Sequence, residues 1–201
     1  MKKLKSSLAN MVAVLVSVAV IMGGLLALVN HITTEPIKTQ EQKILSDGIN
    51  SVMGGNRNTK ISATDSIFKI IEGKKSNFVV YHIATDDNPN VGVAIESSVN
   101  GFGGTLKVLV GFDNDANILG YSILQTAETP GLGSKADTWF GHCGKGNVIG
   151  RNMISAKQLR VKNDGGDVDA ITASTITSRA FLQAVNQAYS VFEDMTSNKV
   201  D

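Results

Sequence analysis

The sequence predicts an α+β chain: one N-terminal transmembrane helix, a stalk helix, an antiparallel-sheet domain and a C-terminal helix. Three observations lead there. Met11 to Val29 is a nearly pure apolar run. Five short segments rich in Val, Ile, Phe and Tyr follow, separated by turn residues. The last of them is succeeded by a loop-rich stretch and an amphipathic pattern from Arg179 to Phe192. Strands in succession and then a helix, without strand–helix alternation, argue against a parallel nucleotide-binding sheet.

The apolar run comes first. Nineteen helical residues rise about 28 Å, close to the hydrocarbon thickness of a bilayer. Lys2, Lys3 and Lys5 precede it, and Ser6 to Asn30 carries no charge. A positive flank before the span predicts a cytoplasmic N-terminus, with the rest of the chain outside. A cleaved signal peptide is the competing reading, but its apolar core is shorter and ends at a small-x-small site. Leu25 to Asn30 offers no such site, and a lipoprotein signal needs a Cys just after the span, whereas the one cysteine is Cys143. Gly23-Gly24 would allow close helix packing within the membrane.

Thr34-Glu35-Pro36 reads as a fresh helix start, with proline in the first turn. Ile37, Gln40, Ile44, Leu45, Ile49, Val52 and Met53 then form a stripe that marks a stalk helix. Gly54 to Asn58 ends it. The predicted partition is 1–30 for tip and anchor, 31–60 for stalk and linker, and 61–201 for the outer domain.

Strands are predicted at 66–71, 77–84, 91–97, 105–112 and 118–126. Their separators carry turn chemistry: Glu72 to Lys75, Asp86 to Pro89, Asn100 to Gly104 and Asp113 to Ala116. Asp113 to Asn117 has the look of a Ca²⁺-loop fragment. It lacks the full ligand register, the glycine and the closing Glu, so it reads as a hairpin turn.

Composition narrows the function. A chain of 201 residues with 42% hydrophobic content supports one domain plus an appendage. Setting Lys2, Lys3 and Lys5 aside leaves 16 of the 19 basic residues against 18 acidic ones, with no basic stripe. That argues against nucleic acid. One cysteine excludes a disulfide framework, an Fe–S cluster and a Zn pattern. Cys143 beside His142 reads as a buried or incidental thiol.

The most informative segment is Asp169-Ala-Ile-Thr-Ala-Ser-Thr-Ile-Thr-Ser178, five hydroxyls behind one carboxylate and in front of a helix. Such a run can cap the helix. It can also hold a phosphate, since the free N–H groups and the dipole favour an anion there. The second informative segment is Gln125 to Phe140. Thr129-Pro130-Gly131-Leu132-Gly133 predicts a tight turn. Without side chains on Gly131 and Gly133, a flat ring can lie against its backbone. Lys135 and Lys162 offer cations for a phosphate or a reduced ring. Trp139 and Phe140 read either as core or as a ring shield.

The two segments together resemble a known family. Flavin transferases attach FMN through its phosphate to a Thr in segments of the form Asp-x-x-(Ser/Thr)-(Gly/Ser)-Ala-Thr, and Asp169, Thr172 and Thr175 fall on its defining positions. Ala173-Ser174 departs from the usual pair before the acceptor. Glu128-Thr-Pro-Gly-Leu-Gly133, Gly101-Phe-Gly-Gly104, Lys107 to Asp113 and Lys162-Asn-Asp-Gly-Gly166 add to the likeness. The chain resembles the FMN-binding domain of the G subunits of Rnf complexes, which the C subunit of sodium-pumping NADH:quinone oxidoreductase shares.

That resemblance implies a single-pass flavoprotein of the bacterial inner membrane with an outer FMN-binding domain. FMN is then carried on Thr175 by a phosphoester. Thr129, Gly131, Leu132, Gly133, Lys135, Lys162, Asp169, Thr172, Ser174 and Thr177 are the implied cofactor-binding residues, with Thr172 and Thr177 as rival acceptors. The implied role is electron carriage between reduced ferredoxin and NAD, coupled to Na⁺ or H⁺ transport by the assembled translocase. Its partners are the other subunits and a maturing flavin transferase, and no stand-alone catalysis is expected. Two other readings are a non-redox membrane scaffold whose Ser/Thr run only caps a helix, and a free-standing periplasmic flavin carrier.

Overall fold

A computed structural model describes residues 8–53, 59–71, 73–86 and 88–197. The chain divides into two compact units, residues 1–43 and 44–201. The described part of the first is helical, within α1 (Leu8–Val52). Among the described residues α1 is the helix long and apolar enough to cross a membrane, with a mean hydropathy of 2.8 in its most apolar window.

The expected new start at Thr34 to Pro36 is not there, because Pro36 lies inside α1. An interior proline loses one backbone bond and costs about 3 kcal/mol. The residues before it nevertheless stay helical. The Thr33 and Thr34 hydroxyls donate to the carbonyls of Val29 and Asn30, at 2.8 and 2.6 Å. No glycine or asparagine stands between His31 and Pro36 to turn the chain elsewhere. The expected stop at Gly54 to Asn58 lies outside the described residues.

The second unit is built on a five-stranded antiparallel meander: β1 (Lys60–Ile71), β2 (Lys74–Ala84), β3 (Gly92–Asn100), β4 (Thr105–Phe112) and β5 (Ile118–Gln125). β1 starts six residues before the apolar pattern does, because Lys60 to Asp65 pair with β2 while staying exposed on both faces. Exposed strand residues leave no alternating signature to read. The β4–β5 turn is the expected hairpin. Asp113 Oδ1 accepts the Asp115 and Asn117 N–H groups at 3.0 and 2.8 Å.

Alternation divides the sheet between two cores, as a period of two requires. Phe78, Val80, Val93, Ile95, Leu106, Val108, Val110 and Phe112 face the larger core, which α4 (Thr175–Ser197) covers. Tyr81, Ile83, Ala94 and Leu109 face the other way, onto Ile49 and Val52 of the last turn of α1 and Met53 just after it. Gly111 and Gly120 are paired across β4 and β5. A Cβ on either would lie within 3.0 Å of Val52 backbone atoms, so their bareness seats that turn on the sheet.

Between β5 and α4 the chain forms α2 (Ala136–Trp139), α3 (Met153–Ala156) and two short 3₁₀ turns. Phe140 is fully buried and stacks on Phe181 of α4, with ring centroids 4.2 Å apart. The Tyr121 hydroxyl donates to the Ala136 carbonyl at 2.8 Å and fixes α2 to the sheet. Burial is the main reason that phenol's pKa is pushed up. Among the described residues no group of three or more His, Cys, Asp and Glu is placed to hold a metal. Cys143 is exposed, not buried, since it lies in the loop after α2 rather than in the core.

Candidate functional site

The turn before α4 places the Ser/Thr run. Ser174 N–H donates to the Ile171 carbonyl at 3.0 Å, closing a turn over Thr172 and Ala173. Ala173 has φ +62°. A positive φ at the third position is what a type II turn needs, and it favours glycine. The alanine in place of the motif's glycine therefore occupies a left-handed position.

The five hydroxyls have different fates. Ser178 Oγ accepts the Ile171 N–H and donates to the Ser174 carbonyl, both at 2.9 Å, which locks the turn to the helix. Thr177, 1% exposed, donates to Glu128 Oε2 at 2.8 Å. Thr172 is exposed, and Ser174 is buried. Thr175 is the first residue of α4 and is half-buried, and its hydroxyl has no hydrogen-bond partner among the described residues. No side chain among the described residues accepts from the N–H groups of Thr175, Ile176 or Thr177, which helix geometry leaves open. The run therefore does not cap its helix.

Opposite stands the Thr129–Gly133 turn. Leu132 and Ser134 N–H groups donate to the Thr129 carbonyl, and Gly131 N–H donates to Ser134 Oγ at 2.9 Å. Gly131 has φ +76°, and a Cβ there would meet nothing within 4 Å, so the turn itself explains this glycine. Gly133 is different. Its Cβ would lie 2.6 Å from Glu128 Oε2 and 2.8 Å from Thr177 Oγ1.

Turn and helix start enclose a cleft of about 410 Å³, lined by Phe102, Glu128, Thr129, Leu132, Gly133 and residues 173–177. Phe102, Leu132 and Ile176 are exposed at 69, 42 and 52%, an apolar rim around a polar floor. An apolar mouth over a few polar groups is the usual character of a cofactor site.

Of the residues that sequence reading singled out, Thr129, Leu132, Gly133, Ser174, Thr175 and Thr177 line this cleft. Gly131, Lys135, Lys162, Asp169 and Thr172 do not. Lys135 is exposed and forms no ion pair among the described residues. Lys162 pairs with Asp169 Oδ2 at 2.8 Å. The Asp169 carbonyl accepts the Trp139 indole N–H at 2.8 Å, so this aspartate and tryptophan brace the approach to the turn. Below them Arg179 grips Asp164 with two bonds of 2.7 Å. That guanidinium holds the Asp164 carboxyl below the ordinary range.

Phe102, Glu128, Ala173 and Ile176 line the cleft without having been singled out as site residues. Glu128 opens the Glu-Thr-Pro-Gly-Leu-Gly segment and Phe102 sits in Gly101-Phe-Gly-Gly104, so both segments were visible. Their meeting joins residues 26 apart, through the Phe102 N–H and Glu128 Oε1 at 2.7 Å.

The chain is similar to known proteins over this region. A family model described as an FMN-binding domain matches residues 101–190. The chain is 37% identical over 169 residues to the G subunit of the ion-translocating oxidoreductase complex of Vibrio parahaemolyticus, covering 81% of this chain and 78% of that one. To the protein of the same name in Shewanella baltica it is 37% identical, covering 88 and 85%. The Escherichia coli counterpart is 33% identical, with 82 and 81% covered.

Proposed function

Since the chain belongs to the family of ion-translocating oxidoreductase complex G subunits, membrane electron-transport flavoproteins with an FMN-binding domain, we propose that its cofactor is FMN joined through its phosphate to Thr175. The observation that carries this reading is the state of the Thr175 hydroxyl. It lies in the cleft, half-buried and without a partner among the described residues, while Thr177 and Ser178 are committed; the hydroxyls of Ser174 and Thr172 are unpartnered among them too, and it is the motif register that points to Thr175 among the three.

The residues fit the group. Open N–H groups at the start of a 23-residue helix suit the phosphate. Phe102, Leu132 and Ile176 supply apolar surface for the ring, and Gly133 leaves the backbone bare beside it. Lys135, unpaired among the described residues and nearby in sequence, is the cation for negative charge, while Lys162 is held by Asp169. Bound FMN would supply one- and two-electron redox chemistry, which the protein's own side chains lack. Thr175 tethers the cofactor, the rim excludes water, and the Thr129–Gly133 turn orients the ring. A tether matters for a domain outside the cytoplasm, where free flavin diffuses away.

The fuller reading places residues 1–30 as cytoplasmic tip and anchor, 31–60 as stalk and linker, and 61–201 as the extracytoplasmic FMN-binding domain. The lysines before the apolar run support that orientation. The protein then carries electrons within a complex that links reduced ferredoxin and NAD to Na⁺ or H⁺ transport. A flavin transferase with an FAD donor matures it.

The test is co-expression of the full chain with such a transferase. The Thr175 peptide should gain about 438 Da, FMN less one water. The denatured band should fluoresce, and Thr175→Ala should abolish both signals. An adduct kept in Thr175→Ala on the residue that carries it in the wild-type chain would sink the assignment. In the assembled complex that variant should stop ferredoxin-driven NAD reduction while assembly persists. Protease added to intact spheroplasts should digest the outer domain, and full protection there would reverse the topology.

A further inference from the structure

Glu128 is a buried carboxylate, 8% exposed, that forms no ion pair among the described residues. Both its oxygens accept, Oε1 from the Phe102 N–H at 2.7 Å and Oε2 from the Thr177 hydroxyl at 2.8 Å. Burying an ionised group without a cation is costly, and two charge-assisted bonds offset part of that cost. The chain has shaped itself around this residue. A Cβ on Gly101 would lie 2.0 Å from Oε1, and one on Gly133 would lie 2.6 Å from Oε2. A Cβ on Gly103 would lie 2.1 Å from the carbonyl of Ala127, the residue before it. Three segments therefore converge on one carboxylate at the floor of the cleft.

We propose that Glu128 is the positioning residue that selects Thr175 over Thr177 as the attachment site. The inference rests on the attachment reading above. Thr175 and Thr177 are two residues apart in the first turn of α4, both line the cleft, and both are secondary alcohols of equal intrinsic reactivity. Thr175 alone falls on the motif's acceptor position, and Thr177 is the more buried of the two; the residue whose contact adds to this difference is Glu128. It holds the Thr177 hydroxyl by its proton and draws the oxygen inward, while Thr175 stays open. The same carboxylate ties the Gly101–Gly104 loop to the helix start and so fixes the wall from which Phe102 projects.

In the transfer itself, the Thr175 oxygen forms a bond to the FMN phosphorus of an FAD donor. The pyrophosphate P–O bond breaks, and AMP leaves with the electron pair. The hydroxyl proton passes to a base of the transferase, and nothing is oxidised or reduced. Glu128 takes no part in that bond exchange, so its effect is read in where the adduct forms.

The experiment uses the full chain, co-expressed with a flavin transferase and mapped by peptide mass spectrometry. Glu128→Met fills the volume but cannot accept from Thr177. It should raise the fraction of chains modified on Thr177 about tenfold or more, the population change that a charge-assisted bond controls. Glu128→Gln, whose amide can still engage Thr177, should restore attachment to Thr175. Thr175→Ala with Glu128 intact should stay bare, and Thr175→Ala/Glu128→Met should gain an adduct on Thr177. Trp139 fluorescence melts report whether each variant folds.

Modification of Glu128→Met on Thr175 alone, to the wild-type extent, would overturn the proposal. So would an adduct on Thr177 in Thr175→Ala with Glu128 in place, a result that needs no variant of Glu128. Failure of the attachment reading has its own signature, a wild-type chain with no adduct on Thr175, and it overturns both.

Discussion

Gly133→Ala adds one methyl group at the most crowded point of the cleft floor. The new Cβ would sit 2.6 Å from Glu128 Oε2, 2.8 Å from Thr177 Oγ1 and 2.9 Å from Glu128 Cβ. An ordinary contact needs about 3.5 Å, so each neighbour must give way by most of an ångström. Glu128 cannot retreat freely, because its other oxygen is held by the Phe102 N–H at 2.7 Å. The yielding contact is therefore the 2.8 Å bond from Thr177. Overpacking costs about 1–3 kcal/mol, and weakening a bond to a charged group adds part of another 1.5–3. A total of roughly 2–4 kcal/mol lowers Tm by about 6–12 °C for a unit of this size. Gly131→Ala is the control. Its Cβ meets nothing within 4 Å, and only φ +76° opposes it. The left-handed strain is about 1–2 kcal/mol. The assay is thermal unfolding of the detergent-solubilised full chain, followed by Trp139, the one tryptophan, whose indole is bonded to the Asp169 carbonyl near the site. Equal melting points for the two variants, or a Gly133→Ala melt within a degree of wild type, would refute the claim that Gly133 is required by close packing.

Three further outcomes follow from the geometry. Ala173→Gly removes a Cβ from a φ of +62° and should stabilise the chain by about 0.5–1 kcal/mol after the entropy of glycine is deducted, seen as a Tm rise of about 2–3 °C. Phe181→Ala empties a fully buried site stacked on Phe140 and set edge-on to Tyr121, and should cost about 3–5 kcal/mol in denaturant unfolding. Tyr81→Phe bears on alkaline stability. Burial, with help from Glu96, raises the Tyr81 phenol to about 12. A raised folded pKa gives stability that is whole below the unfolded value near 10 and is lost as pH climbs toward 12. The variant should flatten that part of the pH–stability curve, and an unchanged slope between about pH 10 and 12 would show that Tyr81 does not titrate with unfolding.

The family was legible in the order of residues alone, and so were the two segments that meet at the cleft. The apolar run, the β-rich segments and the amphipathic stretch of α4 are local patterns, because side-chain periods of 2 and 3.6 repeat over a few residues. Turn residues acted in the same short range, so β4 starts and ends where its pattern does. Where that signal was weak the ends moved. β1 reached back to Lys60 because an exposed edge strand has no buried face to mark it. Thr34 to Pro36 carried a start signal, yet α1 runs through Pro36, and the Thr33 and Thr34 hydroxyls bond back to the preceding turn instead of capping a new helix.

The sequence by itself determined that five hydroxyls gather around a helix start and that a glycine turn lies upstream. Only the tertiary structure decided which hydroxyls are committed. Thr177 is withdrawn by a glutamate 49 residues away, Ser178 by the Ile171 turn, and Thr175 by nothing among the described residues. Gly133 and Gly131 look alike in sequence, but one lies against Glu128 and the other faces open space. The physical reason is range. Periodicity and turn chemistry act between near neighbours, whereas the availability of a hydroxyl depends on an acceptor that only the folded sheet and helix bring within 3 Å.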